Sequence, residues 1–305
     1  MPMLINPFIS FPGGGGPPPP DAFIMRVNTE NAGSSNSDQF TLPLLYAEVY
    51  DFDVDWGDGN SDTITGVFNT AESWPVHTYA SPGIYDISIV ENTVGGFPAI
   101  FFNLDGDRLK VTELKQWGQN TWGSFLAAFY GCSNLVITAT DHATAVMGAV
   151  TSFSSAWRGC SSMTNFPLID TSSVTEFYYA WEGCSGLTSF PNIDTSSATS
   201  LHYAWGGCSG LTGFPALDTS NVTNFVGTWN GCSGLTSFPT IDIGNSTDFS
   251  HTWLNCQGLT SFPALDTTLG TVFNNTWANC NQLTSFPSID VGNGTNFTAA
   301  WNGCS

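Results

Sequence analysis

The chain has 305 residues, a length that suggests about two domains, and it is 41% hydrophobic and 14% aromatic, which supplies ample material for a core. Its charges are few and lopsided: 5 Lys plus Arg against 25 Asp plus Glu, a formal net charge of −20. Such a field repels nucleic acid and anionic membrane surfaces, and no run of about 18 apolar residues exists to span a bilayer.

Residues 1–12, MPMLINPFISFP, are apolar and show neither the basic stretch nor the small-residue cleavage site of a secretory signal peptide. GGGGPPPP follows at 13–20, where four glycines make a swivel and four prolines a stiff spacer. Leu4, Ile5, Phe8, Ile9 and Phe11 would be wasted in water. The segment is therefore expected to dock on a particle or filament protein, or on a sister copy; a disordered tail is the alternative.

From 21 to 101 the pattern is strand and turn. AFIMRV, YDFDVDW, DTITGVF, GIYDISIV and AIFFNL are short β-rich runs broken by Gly, Asn, Asp and Pro, which predicts a small β-sandwich. Asp51, Asp53 and Asp55 alternate and so share a strand face, with Asp58, Asn60 and Asp62 in an oxygen-rich turn beside them. Hard oxygen ligands suit Ca²⁺, with Asp53, Asp55, Asp58 and Asp62 as candidates; ordinary turn chemistry on a solvated face accounts for the same residues. The run Asp55-Trp56-Gly57-Asp58-Gly59, then His77-Thr78-Tyr79 and Pro82-Gly83-Ile84-Tyr85, resembles the PKD domain (polycystic kidney disease repeat). The resemblance implies an immunoglobulin-like sandwich that serves as a spacer or binding module outside cells. It brings no catalytic residues.

Residues 102–131 hold Arg108, Lys110 and Lys115, three of the five basic residues. VTELKQWGQNTWGSFLAAFYGC looks like a degenerate first repeat and is expected to cap the N-terminal end of a repeat array.

Residues 132–305 repeat. Cysteines fall at 160, 184, 208, 232, 256, 280 and 304, each step 24 residues, with Cys132 28 before the first. Trp157 to Trp301, the Phe-Pro pairs from Phe166-Pro167 to Phe286-Pro287, and Asp170, Asp194, Asp218, Asp242, Asp266 and Asp290 keep the same beat. A Thr column (Thr151, Thr175, through Thr295) precedes by eight a column of Gly or Asn only (Gly159 through Gly207, Gly231, Asn255, Asn279, Gly303). Thr is a good N-cap, and Gly and Asn tolerate a left-handed C′, so a capped helix of about two turns is predicted between them, with Phe177 and Trp181 on one face. Cys184, Leu187, Phe190 and Ile193 then recur at spacing three, which suits a solenoid wall better than a flat strand. Each Asp is expected to bond its own backbone two residues on. One Cys per unit makes a ladder of reduced, inward-facing thiols rather than a set of pairs.

The units WEGCSGLTSFPNIDTSSATSL and WNGCSGLTSFPTIDIGNSTDF resemble the BspA-type leucine-rich repeats of bacterial and phage surface proteins, with Trp where Phe is usual and Phe-Pro where Leu-Asp is usual. The fold expected is thus mainly β: a small immunoglobulin-like (PKD-like) sandwich, then a leucine-rich-repeat-type solenoid of 24-residue units with short helices. The resemblance implies adhesion or surface display. No His-Glu-x-x-His, G-x-S-x-G or Walker-type loop appears, and no enzyme activity is expected. The exposed pairs Thr188-Ser189, Thr236-Ser237 and Thr260-Ser261 form a polar ladder read as a ligand surface for a glycan, or as a solvated rim. The function expected is a structural and adhesion protein of a virus particle, a phage fibre or capsid-surface appendage, anchored by residues 1–12. It would meet a cell-surface glycan or protein through the solenoid and assemble as a homo-oligomer. The alternative is a bacterial surface or secreted adhesin.

Overall fold

A computed structural model describes residues 19–143 and 145–304. The docking residues Leu4, Ile5, Phe8, Ile9 and Phe11 lie outside the described residues. The protein is mainly β with almost no helix: the only helical elements among the described residues are 3₁₀ turns at Ala71–Ser73 and Arg108–Lys110.

Among the described residues eight strands form: β1 (Phe23–Asn28), β2 (Gln39–Thr41), β3 (Val49–Asp55), β4 (Ser61–Val67), β5 (Val76–Thr78), β6 (Ile84–Glu91), β7 (Val111–Gln116) and β8 (Val136–Ile137). They build a six-stranded sheet in the order β4-β3-β6-β1-β7-β8 and a two-stranded β2-β5 sheet. In β3 the alternation works as expected, with Tyr50, Phe52 and Val54 buried and the aspartates between them turned outward. AIFFNL forms no strand; Ile100 makes only an isolated bridge to Leu44.

The large sheet crosses the boundary expected at 101. β7 pairs antiparallel with β1 and parallel with β8, in the register Glu113↔Val136 and Leu114↔Ile137. One strand thus completes the sheet and starts the stack of repeats. Buried apolar residues form one cluster from Phe23 to Ala300.

Beyond β8 the strand-and-helix solenoid does not form. No regular strand or helix follows among the described residues, and neighbouring units share single parallel bridges such as Ser152↔Glu176, Glu176↔Ser200 and Ser200↔Asn224. The predicted two-turn helix is absent for a definable reason. Tyr179 has φ +53° and Gly183 φ +76°, and two left-handed residues four apart exclude a right-handed helix. The amides instead alternate. Those of Phe177, Tyr179, Trp181 and Gly183 donate to carbonyls of the next unit (Ser200, His202, Ala204, Gly206) at 2.7–3.1 Å. Those of Ala180, Glu182 and Cys184 close turns within the unit, on Phe177, Tyr179 and Trp181. An α-helix would have used every amide internally and left nothing to bind the units together.

The units stack on one another through repeated contacts. Tryptophans 157 to 301 lie nearly parallel, with ring centroids 5.2–6.1 Å apart and planes 3–13° apart. Phenylalanines 166 to 286 stack in a second column at 5.5–6.3 Å, edge-on to the first. Aromatic pairs in these geometries add about 0.5–1.5 kcal/mol beyond area burial. The seven cysteines from Cys132 to Cys280 are buried, and each thiol from Cys160 onward donates to the carbonyl in the aromatic column 27 or, for Cys160, 31 residues earlier, at 3.0–3.2 Å. Burial pushes these thiols up; Cys232 reaches about 12. Each Asp of the column makes the expected turn, as where Asp218 Oδ1 accepts from the Ser220 amide at 3.1 Å and its hydroxyl at 2.7 Å. The next residue reaches on: Thr171, Thr195 and Thr219 donate to the carbonyls of Asp194, Asp218 and Asp242 at 2.5–2.6 Å.

Candidate functional site

Some exposed columns of the stack are uniform, as from Thr164 to Thr284, and others vary from unit to unit; one groove is lined by varying positions. It has a volume of about 430 Å³ and is lined by Tyr130, Arg158, Glu182, Tyr203 and Asn230 over a floor of Gly159, Gly183, Gly207 and Gly231. Tyr130, Arg158, Glu182, Gly206 and Asn230 occupy the same place in five successive units, two residues before each Cys.

The floor is backbone. Its four glycines have φ between +72° and +76°, the left-handed conformation that the spacing pattern anticipated at this column. Asn255 and Asn279 continue the column at φ +62° and +60°, and there their amide groups bond one another at 2.8 Å and fill the floor. Asn therefore suffices for the turn, and glycine leaves the groove open over four units.

The walls are held in place. Arg158 packs over the rings of Tyr130 and Tyr179, 5.1 and 4.5 Å from their centroids, and forms an ion pair with Glu182. Tyr179 stacks on Tyr203 at 5.5 Å, and its hydroxyl is 3.2 Å from His202 Nε2. Burial lowers the His202 imidazole below its ordinary value, so it is neutral near pH 7. Two glycines leave room for the Tyr203 ring. A Cβ on Gly227 (φ +63°) would fall 2.4 Å from the Tyr203 ring, and one on Gly206 would sit 3.2 Å from it. The result is an aromatic surface beside a matched pair of opposite charges over a bare floor, a constellation suited to binding.

The expected sites are placed elsewhere. Thr188, Ser189, Thr236, Ser237, Thr260 and Ser261 are all exposed. The hydroxyls of Thr188, Thr236 and Thr260 donate to carbonyls of the preceding unit, Thr164, Thr212 and Thr236, at 3.1–3.4 Å, so they serve the stack itself.

The Ca²⁺ candidates do not come together; among the described residues no group of three or more His, Cys, Asp or Glu could hold a metal ion. Asp53 accepts from Thr63, Asp55 from the Gly57 amide, and Asp62 from the Trp56 indole at 2.7 Å. Asp58 faces His77 at 2.9 Å. Burial raises the Asp58 carboxyl, but hydrogen bonds from His77 and Asn60 outweigh this and hold it below the usual range. The motif residues of this region form one cluster, with Trp56 stacked on His77 at 4.9 Å and Tyr79 on Tyr85 at 3.7 Å.

The groove is not visible in the columns that repeat. Its residues stand in columns that vary from unit to unit, where spacing carries no signal; the bulky and charged members Arg158, Tyr178, Tyr179, Glu182, His202 and Tyr203 fall in three consecutive units.

No protein-family model matches the chain, and no curated protein matches it significantly. Among solved structures it is similar to a leucine-rich repeat protein from Eubacterium ventriosum ATCC 27560, at 13% identity over 60% of this chain and 74% of that one, with a TM-score of 0.24. At that score the two backbones do not superpose as one fold, and no activity is transferred from it.

Proposed function

We propose that the protein is a non-enzymatic adhesion protein of a virus-particle surface, which holds a ligand in the groove between Tyr130 and Asn230. The observation that carries this reading is the clustering of Tyr130, Arg158, Glu182 and Tyr203 along one groove of the stack. Aromatic side chains and Arg are the residues that dominate binding energy when they lie together on a surface. The leucine-rich-repeat and PKD-type readings of the two regions belong to the same proposal and are supported by the repeat columns and by the Trp56–His77–Tyr79 cluster. Anchoring through residues 1–12 and assembly into a homo-oligomer complete it. Among the described residues no helix is long and apolar enough to cross a membrane.

The test is a binding and localisation experiment. Antibody to residues 132–305 should label intact particles, and the fluorescently tagged full chain should bind host-cell surfaces. The variant Arg158→Ala, which frees both tyrosines and leaves Glu182 unpaired, should bind at least tenfold less. Label absent from particles, or undiminished binding by this variant, overturns the reading.

A further inference from the structure

The two edges of the six-stranded sheet differ. At one, β8 leads into the stack; at the other, β4 is the outer strand and pairs with β3 alone. Every residue of β4 is exposed except Ile64, which is half-buried. The direction of its free backbone groups follows from β3. The Asp51 amide donates to the Gly96 carbonyl, and the Asp51 carbonyl accepts from the Asn92 amide, both on the side away from β4. Successive residues of a strand face opposite neighbours, so Tyr50, Phe52 and Val54 are the residues that bond Gly66, Ile64 and Asp62. Ser61, Thr63, Thr65 and Val67 therefore turn their amides and carbonyls away from the sheet, and among the described residues no strand meets them. The strand carries neither the Pro nor the Lys that commonly guards an open edge.

This edge is complementary to itself. Antiparallel pairing about a two-fold axis at Ile64 sets Ser61 against Val67 of a second copy and Thr63 against its Thr65, so each outward amide meets an outward carbonyl. Ile64 then meets Ile64 of the second copy at a non-hydrogen-bonded position, where facing side chains come closest. It lies opposite Phe52 and packs against the core, so the contact joins the two cores. Asp62 falls opposite Gly66, and no like charges face each other. Moving the axis to Thr63 or Thr65 leaves one end unpaired and sets Ile64 against Asp62 or Gly66 instead. The apolar segment 1–12 fits this edge less well. Its Pro2, Pro7 and Pro12 donate no hydrogen bond and leave no run of more than four residues between them.

Resting on the homo-oligomeric assembly proposed above, we infer that β4 is its interface: two copies join edge to edge, β4 against β4, and their large sheets become one. Charge sets the conditions. Each copy carries a net charge of −20, and Asp51, Asp53 and Asp55 lie on the outward face of β3. Across the joined edges the two aspartate rows are three strand spacings apart, about 14 Å. That distance exceeds the Debye length of about 8 Å at 0.15 M salt and falls well inside the one of about 30 Å at 0.01 M. Association should therefore weaken as salt is removed, the reverse of a contact made by opposite charges. A seven-residue edge buries less than the ~1,200–2,000 Å² of a tight complex, so the dimer is reversible.

The experiment is sedimentation equilibrium of the full chain from about 2 to about 200 µM, the range in which a weak dimer forms and dissociates. At about 0.15 M salt the average mass should rise from one copy towards two, and at about 0.01 M the midpoint should move at least tenfold higher in concentration. Thr65→Pro removes an outward N–H without touching a bond to β3, and should raise the midpoint at least tenfold. Thr65→Val, which keeps the N–H, should not. Circular dichroism of both variants should match the parent. The register is read by Ile64→Cys in a Cys304→Ser background, since the other cysteines are buried. Oxidation should link two copies through residue 64, and Thr65→Cys, which faces Thr63, should link at least tenfold more slowly. If Thr65→Pro does not fold, this cross-link decides alone. A chain that stays monomeric throughout overturns both the inference and the proposed homo-oligomer. An oligomer unchanged by Thr65→Pro, or lost when residues 1–12 are deleted, overturns the inference and leaves the homo-oligomer standing. Association that tightens as salt is removed, or equal linking at 64 and 65, also overturns it.

Discussion

In the two-sheet region the buried polar contacts are each made once; in the stack the same contact is made in every unit. Lys110 and Asp107 are of the first kind. Both side chains are fully buried, 3.6 Å apart. Lys110 Nζ donates to Ser35 Oγ and to the carbonyls of Ser35, Asn36 and Gln39 at 2.7–3.2 Å, and Asp107 accepts from the Ser35 and Thr41 amides. Two charges thereby pin the 33–41 loop to the approach to β7, and nothing elsewhere duplicates them. The Thr column after each Asp is of the second kind. Thr171, Thr195 and Thr219 repeat one bond, and Ile243 stands in the same column, fully packed, without it. Redundancy lets a column lose a member. A contact made once has no substitute.

This comparison can be broken by experiment. Trp205→Ala removes a fully buried indole stacked on both sides and should cost about 3–5 kcal/mol. Because units contact chiefly their neighbours, hydrogen exchange should show lost protection centred on residues 181–229, with β1, β3 and β6 unaffected. Uniform loss across the chain would show that the two regions unfold as one. Asp107→Ala leaves the Lys110 ammonium buried without its counter-charge and should cost about the same, 3–5 kcal/mol, but with the loss in the two-sheet region, read by thermal unfolding and by exchange at β1 and β7.

The smallest effect concerns Asp86. Burial raises its carboxyl, but Arg26 and Lys115, at 2.8 and 2.7 Å, draw it down further, and it lies below the usual range. Its folded value is thus below its unfolded one. The stabilisation is complete above the unfolded value of about 4 and is lost as pH falls through the folded value. The site is partly exposed, so the gain is at most about 1 kcal/mol. Asp86→Asn should flatten the acid limb of a stability-versus-pH curve below pH about 4 and leave the stack's own acid response in place. An unchanged acid limb would remove Asp86 from the account.

Much of this protein was legible in its residues because much of it is local or repeated. The Asx turns depend on an aspartate and the two residues after it, and they form as expected. The left-handed Gly and Asn column follows from which residues tolerate positive φ. Stacking in register forces the Cys, Trp and Phe columns inward, since any outward column would expose its apolar side chain in every unit.

What the tertiary structure decided is where alternatives were close in energy. Thr175 to Gly183 carries helix caps and an i, i+4 aromatic pair, yet it is not a helix, because the amides of Phe177, Tyr179, Trp181 and Gly183 find acceptors 23 residues on. Left-handed backbone at Tyr179, Tyr203 and His251 is the cost of that choice, and local propensity would not select it. The junction at β7 and the groove share this origin. Both depend on which units lie side by side, a relation that no window shorter than one repeat contains.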